Sequence, residues 1–429
     1  MFLILLISTK ARHMFKEIDN QLYKFIFLVL LCIPLQLVSF EFTFAFIFIL
    51  ILFFLNRRNQ IISKDFITAI LFLLILFIIG ISSTFFYKYQ YWDIGKDIAY
   101  FLKPVLLLFL GYAIIHSIRE ESFFFKAFVY MGIAFAIIHI FRFISYPNVF
   151  STSINTVRNA TGLSNHVELI GLVFLILSFK YPKIKLFKKR STSYSVIALL
   201  FVSFFLYFSR TMWFSIFLLL LTSFGYAKIS LKALKYIGIV ILLIGSFYIY
   251  LFSIEIPRDK PGISAFLYKM KIAPEEIFLP KVDLKNHAAL WDHWRAYEAK
   301  MAFDQMKKQH HIIGRGFGSL VDLHFIAPLN DTGMRYISHL HNGYAMIYYK
   351  TGIIGLLFYL LFLLNLYLFT FYKNHLNIDI PITNLIAAIG IVLVFSTLII
   401  TGAYNLSDIY LFALGGLLAL YDKHKLQAN

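Results

Sequence analysis

The sequence predicts an all-α, polytopic integral membrane protein of about twelve transmembrane helices with one large polar segment outside the membrane, itself containing helices. Three observations carry this. The 429 residues are 60% hydrophobic and only 14% charged, against roughly 45–50% apolar and 25% charged in an average soluble domain. The apolar residues come in long unbroken runs, which suits helices that satisfy their own backbone in lipid and excludes the alternating pattern of a membrane β-barrel. The positive charges also segregate into alternate loops.

Runs of about 17–25 apolar residues are read as spans. Residues 25–55 are long for one helix and carry Pro34 and Glu41 near their middle, so they are split into a tight hairpin. The other ten spans are expected near residues 66–87, 98–116, 124–144, 167–179, 194–208, 212–227, 236–252, 342–369, 384–401 and 408–420. Ahead of them, residues 1–8 are apolar but too short to span. Lys10 and Arg12 follow them, the wrong order for a signal peptide, and Met14 is an alternative start. The single cysteine, Cys32, lies in an apolar run, which excludes an internal disulfide and a cysteine-based metal site.

The net charge of +18, from 40 basic and 22 acidic residues, reports topology rather than a nucleic-acid partner. With twelve spans, the loops holding Arg57 and Arg58, Arg119 and Lys126, Lys180 to Arg190, Lys228 to Lys235, Lys373, and Lys423 and Lys425 all fall on one side with the basic N-terminus. That side is the cytoplasm, and both termini are expected there. Three regions follow: spans one to nine over residues 1–252, a polar external segment over 253–340, and spans ten to twelve over 341–429. Within the external segment, Leu290, Trp294, Tyr297 and Met301 give residues 285–309 the pattern of an amphipathic helix lying on the membrane surface.

Candidate chemistry clusters at the outer boundary. Ser209, Arg210 and Thr211 are the whole gap between two apolar runs, so a permanent charge sits at membrane depth, where ionisable groups mark function. Lys103, Arg142 and Arg158 fall near outward span ends and could join Arg210 in a cationic pocket for a lipid diphosphate. His339, His341 and Asn342 stand at the start of the tenth span, and histidine can take a proton from a hydroxyl near neutral pH. The spacing of His310, His311 and Asp322 matches no zinc motif, and no metal is expected. Gly314, Gly316 and Gly318 lack a preceding strand and a Walker lysine, so they are read as a turn that brings backbone close to the membrane or a ligand, not as a nucleotide loop. The acidic residues Asp292, Glu298, Asp304 and Asp322 form no DxD metal-sugar motif, which argues against a nucleotide-sugar transferase.

His341-Asn342, nine further residues and then Gly352-Ile353-Ile354-Gly355 resemble the signature of the O-antigen ligase and polymerase superfamily of bacterial envelope glycosyltransferases, closest to the O-antigen ligases. The expected spans and the large periplasmic loop before the histidine are similar to that family too. The resemblance implies His341 as general base and Arg210, in Ser209-Arg210-Thr211, as a ligand of the lipid diphosphate. It implies Arg295 as the second, periplasmic arginine, although Tyr297 follows it by two residues where the family's aromatic follows by about four. The stretch 157–165 resembles the family's Arg- and Gly-containing opening of a middle span, which makes Arg158 a secondary candidate beside His339 and Asn342.

The same resemblance implies the reaction. An undecaprenyl-diphosphate-linked glycan in the bacterial inner membrane would be transferred, with inversion and without metal or other cofactor, to a hydroxyl of lipid A-core by a ligase. A polymerase of O-antigen, capsule or exopolysaccharide would instead use a second lipid-linked glycan as acceptor. A related protein O-glycosylating transferase is a more remote possibility within the superfamily. A lipid or glycan transporter is the alternative from another class, but the paired repeats and midplane-broken spans usual there are missing from the sequence.

Overall fold

The computed structural model describes residues 2–33, 40–55, 62–147, 149, 152–163, 165–181, 184, 186–228, 231–257, 263–273, 287–329, 333–371, 380–405 and 409–428. The first half gives α1 (Phe2–Leu31), α2 (Phe40–Leu55), α3 (Lys64–Thr84), α4 (Tyr91–Ser117), α5 (Glu121–Ser145), a short α6 (Ile154–Thr161), α7 (Asn165–Leu177), α8 (Arg190–Leu206), α9 (Arg210–Ser223) and α10 (Leu231–Ser253). The polar segment supplies α11 (Ile263–Ile272), α12 (His287–Asp292), α13 (Trp294–Asp304), α14 (His310–Ile313), β1 (Val321–Ala327) and β2 (Met334–Ile337). The chain closes with α15 (Gly343–Leu368), α16 (Ile380–Ile400) and α17 (Tyr410–Ala428).

Every apolar run falls on a helix, yet the helices are unequal. Among the described residues, α3, α4, α5, α15 and α16 are long and apolar enough to cross a membrane, and five shorter apolar stretches of 10–17 residues lie in α2, α7, α8, α9 and α10. At about 1.5 Å per residue the 13 residues of α7 extend roughly 20 Å, short of a hydrocarbon core of about 30 Å. The chain is therefore a helical membrane protein, with five spans of full length among the described residues. The turn expected around Pro34 lies outside the described residues, as do Arg57, Arg58, Lys183, Lys185 and Lys373.

Packing inside the bundle follows small residues and aromatic rings. α4 and α17 run together so closely that a β-carbon on Gly111 would collide with the Phe412 carbonyl, and one on Gly415 with the Leu108 carbonyl. Beside them, Phe27, Phe124, Phe128 and Phe174 interlock edge to face.

The polar segment departs from expectation twice. Instead of one surface helix over residues 285–309, the chain breaks at His293, whose φ of −111° and ψ of 19° end the helical path between α12 and α13. The apolar stripe then faces protein: Leu290, Trp294 and Tyr297 are buried, with both rings of α13 against Phe325 and the Tyr297 hydroxyl donating to the Leu323 carbonyl at 2.6 Å. The second departure is a hairpin, β1 pairing antiparallel with β2 through Val321 to Ile337 and Asp322 to Tyr336. Alternation of Val321, Leu323 and Phe325 with polar neighbours is the strand period that the helical reading passed over.

The glycine-rich stretch explains how this segment docks. α15 breaks at Gly352 (φ 65°, ψ −167°), a region that is essentially glycine-only. The break frees the Tyr349 and Lys350 carbonyls, which accept from the Arg315 and Gly316 amides, each at 2.9 Å. Next along the loop, the Phe317 amide donates to Thr84 Oγ1 at 2.7 Å and the Gly318 amide to Asp97 Oδ2 at 2.6 Å. Lys350 completes the clamp, its buried ammonium reaching Asp97 and the Ser319 carbonyl, both at 2.5 Å. The loop thus approaches a broken helix and not a phosphate.

Candidate active site

His341 sits where the polar segment enters α15, and its backbone is held from both sides. Its amide donates to Glu298 Oε2 at 2.9 Å, and its carbonyl accepts from the Thr401 amide, also at 2.9 Å. Asn342 caps α15, its Oδ1 accepting from the Ala345 amide at 3.1 Å. The imidazole is fixed as well, with Nδ1 2.9 and 3.1 Å from the two Glu298 oxygens. Because a carboxylate only accepts, that contact places the proton on Nδ1 and leaves Nε2 as an outward-facing acceptor. The His341 side chain is 50% exposed and that of Glu298 2%: the imidazole is accessible while its anchor is not.

His339 has none of this. It is half-buried, its Nδ1 lies 2.7 Å from its neighbour Ser338, and its ring packs on Tyr100. Burial, together with the charges of Lys350 and Lys96, pushes its imidazole down to about 3. Of the two candidate histidines, geometry gives a carboxylate partner to His341.

The arginines come together from three elements. Arg210 opens α9 and donates through Nη1 to the Lys269 carbonyl of α11. Arg295, in the first turn of α13, donates through Nε to the Ile399 carbonyl at 3.0 Å. Arg158, in the last turn of α6, is pulled below the ordinary guanidinium range by burial and then by the like charges of Arg210 and Arg295. Lys103 does not join them; it is buried in α4 and donates to the Asn405 carbonyl at 2.8 Å. Arg142 is exposed at the end of α5.

Arg210, Arg295 and Asn342 line one cavity of about 1280 Å³. Its remaining wall is largely apolar and aromatic, including Phe214, Phe217, Phe247 and Phe395. Cationic groups in a largely phenylalanine-lined space suit an anion attached to a long hydrocarbon. Among the described residues, no group of three or more His, Cys, Asp or Glu side chains gathers as a metal would need.

Glu298 is the functional residue that the sequence reading missed. A signal was present: it lies four residues after Trp294 and one after Tyr297, on the buried stripe of α13, and a carboxylate on an apolar face demands a partner.

Residues 195–360, from α8 into α15, match the family model described as O-antigen ligase. No curated protein matches the chain. The matched stretch contains Arg210, Arg295, Glu298, His341, Asn342, Gly352 and Gly355, and over these residues the chain is similar to the O-antigen ligases.

Proposed function

We propose that the protein is a membrane glycosyltransferase that moves a glycan from undecaprenyl diphosphate to an acceptor hydroxyl, most directly as an O-antigen ligase acting on lipid A-core. The observation that supports this best is His341 held by the buried Glu298, next to Asn342 of a cavity lined by Arg210, Arg295 and many aromatic side chains. In this reading the protein lies in the inner membrane with both termini in the cytoplasm, and residues 253–340 face the periplasm.

The donor's polyprenyl tail occupies the apolar part of the cavity and its diphosphate meets Arg210 and Arg295, with Arg158 close enough to add its field. His341 Nε2 accepts the proton of the acceptor hydroxyl, and the resulting imidazolium is stabilised by Glu298 through Nδ1. The acceptor oxygen attacks the anomeric carbon and the bond from that carbon to the diphosphate breaks, its electron pair leaving with the phosphate oxygen. The arginines stabilise the charge that develops there. One displacement inverts the anomeric centre.

The test is a lipopolysaccharide gel from a strain lacking the gene, complemented with wild type, His341→Ala or Arg210→Ala. Bare core with long polymer left on undecaprenyl diphosphate is the expected result for a ligase. Core bearing a single repeat would make the protein a polymerase, and full rescue by His341→Ala would overturn the mechanism.

A further inference from the structure

Buried among α5, α7 and α8 is a polar network that the reaction above does not use. Glu168, 1% exposed, accepts from the Tyr207 hydroxyl at 2.7 Å and from the Ser203 hydroxyl at 2.5 Å. His139 stacks on the Tyr207 ring with centroids 3.9 Å apart, and its Nδ1 lies 2.8 Å from Ser203 Oγ. Such an arrangement in an apolar helical setting is costly unless every member is satisfied.

Tyr207 also reaches outward in two directions. Its hydroxyl accepts from the Leu163 amide at 3.3 Å, in the short link after α6, whose last turn carries Arg158. Gly162 lies so close that a β-carbon there would touch the Tyr207 ring at 3.2 Å. Along the chain, Tyr207 caps α8 and starts the turn that includes Phe208, with a left-handed φ of 45°, before Ser209 caps α9 and Arg210 opens it. One phenol therefore holds the segments that present two of the three arginines.

We propose that Tyr207, anchored by Glu168, is a positioning residue that sets Arg158 and Arg210 at the spacing that a lipid diphosphate requires. This rests on the diphosphate reading of the arginines. The role is geometric and not ionic: a carboxamide at position 168 still accepts from Tyr207 and can donate to Ser203, whose hydroxyl then turns to His139 Nδ1.

The experiment measures binding of undecaprenyl diphosphate to purified full-length protein in detergent, together with its unfolding temperature. Tyr207→Phe is expected to weaken Kd roughly 3- to 20-fold, the scale of one or two lost hydrogen bonds. Glu168→Leu should do at least as much, and Glu168→Gln should stay within about twofold of wild type. In turnover, the donor KM should rise while the acceptor KM holds. A purely structural role would lower the unfolding temperature and leave the Kd of the folded protein unchanged, which overturns the proposal, as does Glu168→Gln weakening Kd as much as Glu168→Leu. If Tyr207→Phe does not fold, Ser203→Ala, which spares the ring and removes the other donor to Glu168, is read in its place with an expected loss of about 2- to 5-fold. Arg158→Ala and Arg210→Ala on the same probe separate the two claims. If they leave Kd unchanged, the diphosphate reading falls; if they weaken it and Tyr207→Phe does not, only the positioning role falls.

Discussion

The two sides of the cavity are built on different principles. The side lined by Asn342 adjoins His341 and is over-determined: Glu298 binds both the backbone and the ring of His341, Thr401 holds its carbonyl, and the Asp97–Lys350 pair clamps the glycine-rich loop against the broken α15. The side formed by α10 is the reverse. Leu243, Ile244 and Phe247 line the cavity from that helix yet remain exposed, as do Ile241, Leu242 and Ile249 beside them. In the proposed reaction proton transfer needs a fixed direction, whereas a hydrocarbon tail needs only apolar area, and the two constructions match those two proposed tasks.

The largest effects should come from the rigid side. His341→Ala is expected to lower kcat by about 10²- to 10⁴-fold. Glu298→Gln should approach that loss although it removes no volume. Oε2 takes both the His341 amide and Nδ1, so a carboxamide oxygen there keeps both bonds but brings no charge to stabilise the imidazolium. Single-turnover transfer with purified donor and acceptor reads this directly; a Glu298→Gln rate within a few-fold of wild type would show that the carboxylate charge does not support the base.

Next come the supports behind that side. Lys350→Met leaves Asp97 buried without its cation, and removing one member of such a pair typically costs about 3–5 kcal/mol. Gly352→Ala imposes a β-carbon on a glycine-only conformation, at about 1–3 kcal/mol before its collision with the Ile312 carbonyl is counted. Both should lower the unfolding temperature in detergent, Lys350→Met by more. The pH response has a definite sign. His339 is held well below its unfolded value, so its contribution is complete above about 6.5 and is lost as pH falls from there towards its folded value of about 3. The unfolding temperature should drop across that window, and His339→Gln should flatten the drop.

How much of this was legible depended on whether the signal was local. Apolar runs located the helices because length and composition are properties of one segment. The pairing of His341 with its glycines was legible as a motif, but its reason was not: Gly352 is required by amides that arrive from Arg315 and Gly316, and no spacing reveals that partner. Arg158, Arg210 and Arg295 come from α6, α9 and α13, so only the fold could bring them together, and only the fold could exclude Lys103. Glu168 and Glu298 were each readable as a carboxylate among apolar neighbours. What each one holds, Tyr207 and His341, lies 39 and 43 residues away.

The smallest effect belongs to the open side, and it tests the comparison most sharply. Phe247 is 40% exposed and lines the cavity, so truncating it removes contact area for a tail while disturbing little else. Phe247→Ala is expected to raise the donor's KM about 2- to 5-fold, the scale of roughly 1 kcal/mol of lost apolar contact, with kcat and unfolding temperature unchanged. The same variant assayed with a short-chain prenyl donor should show no difference from wild type, because the missing ring no longer faces hydrocarbon. Glu298→Gln, by contrast, should reduce kcat equally with both donors, since His341 acts on the acceptor and not on the tail. If Phe247→Ala lowers kcat, or penalises long and short donors alike, α10 is part of the catalytic framework and the two sides do not divide their work as their construction suggests.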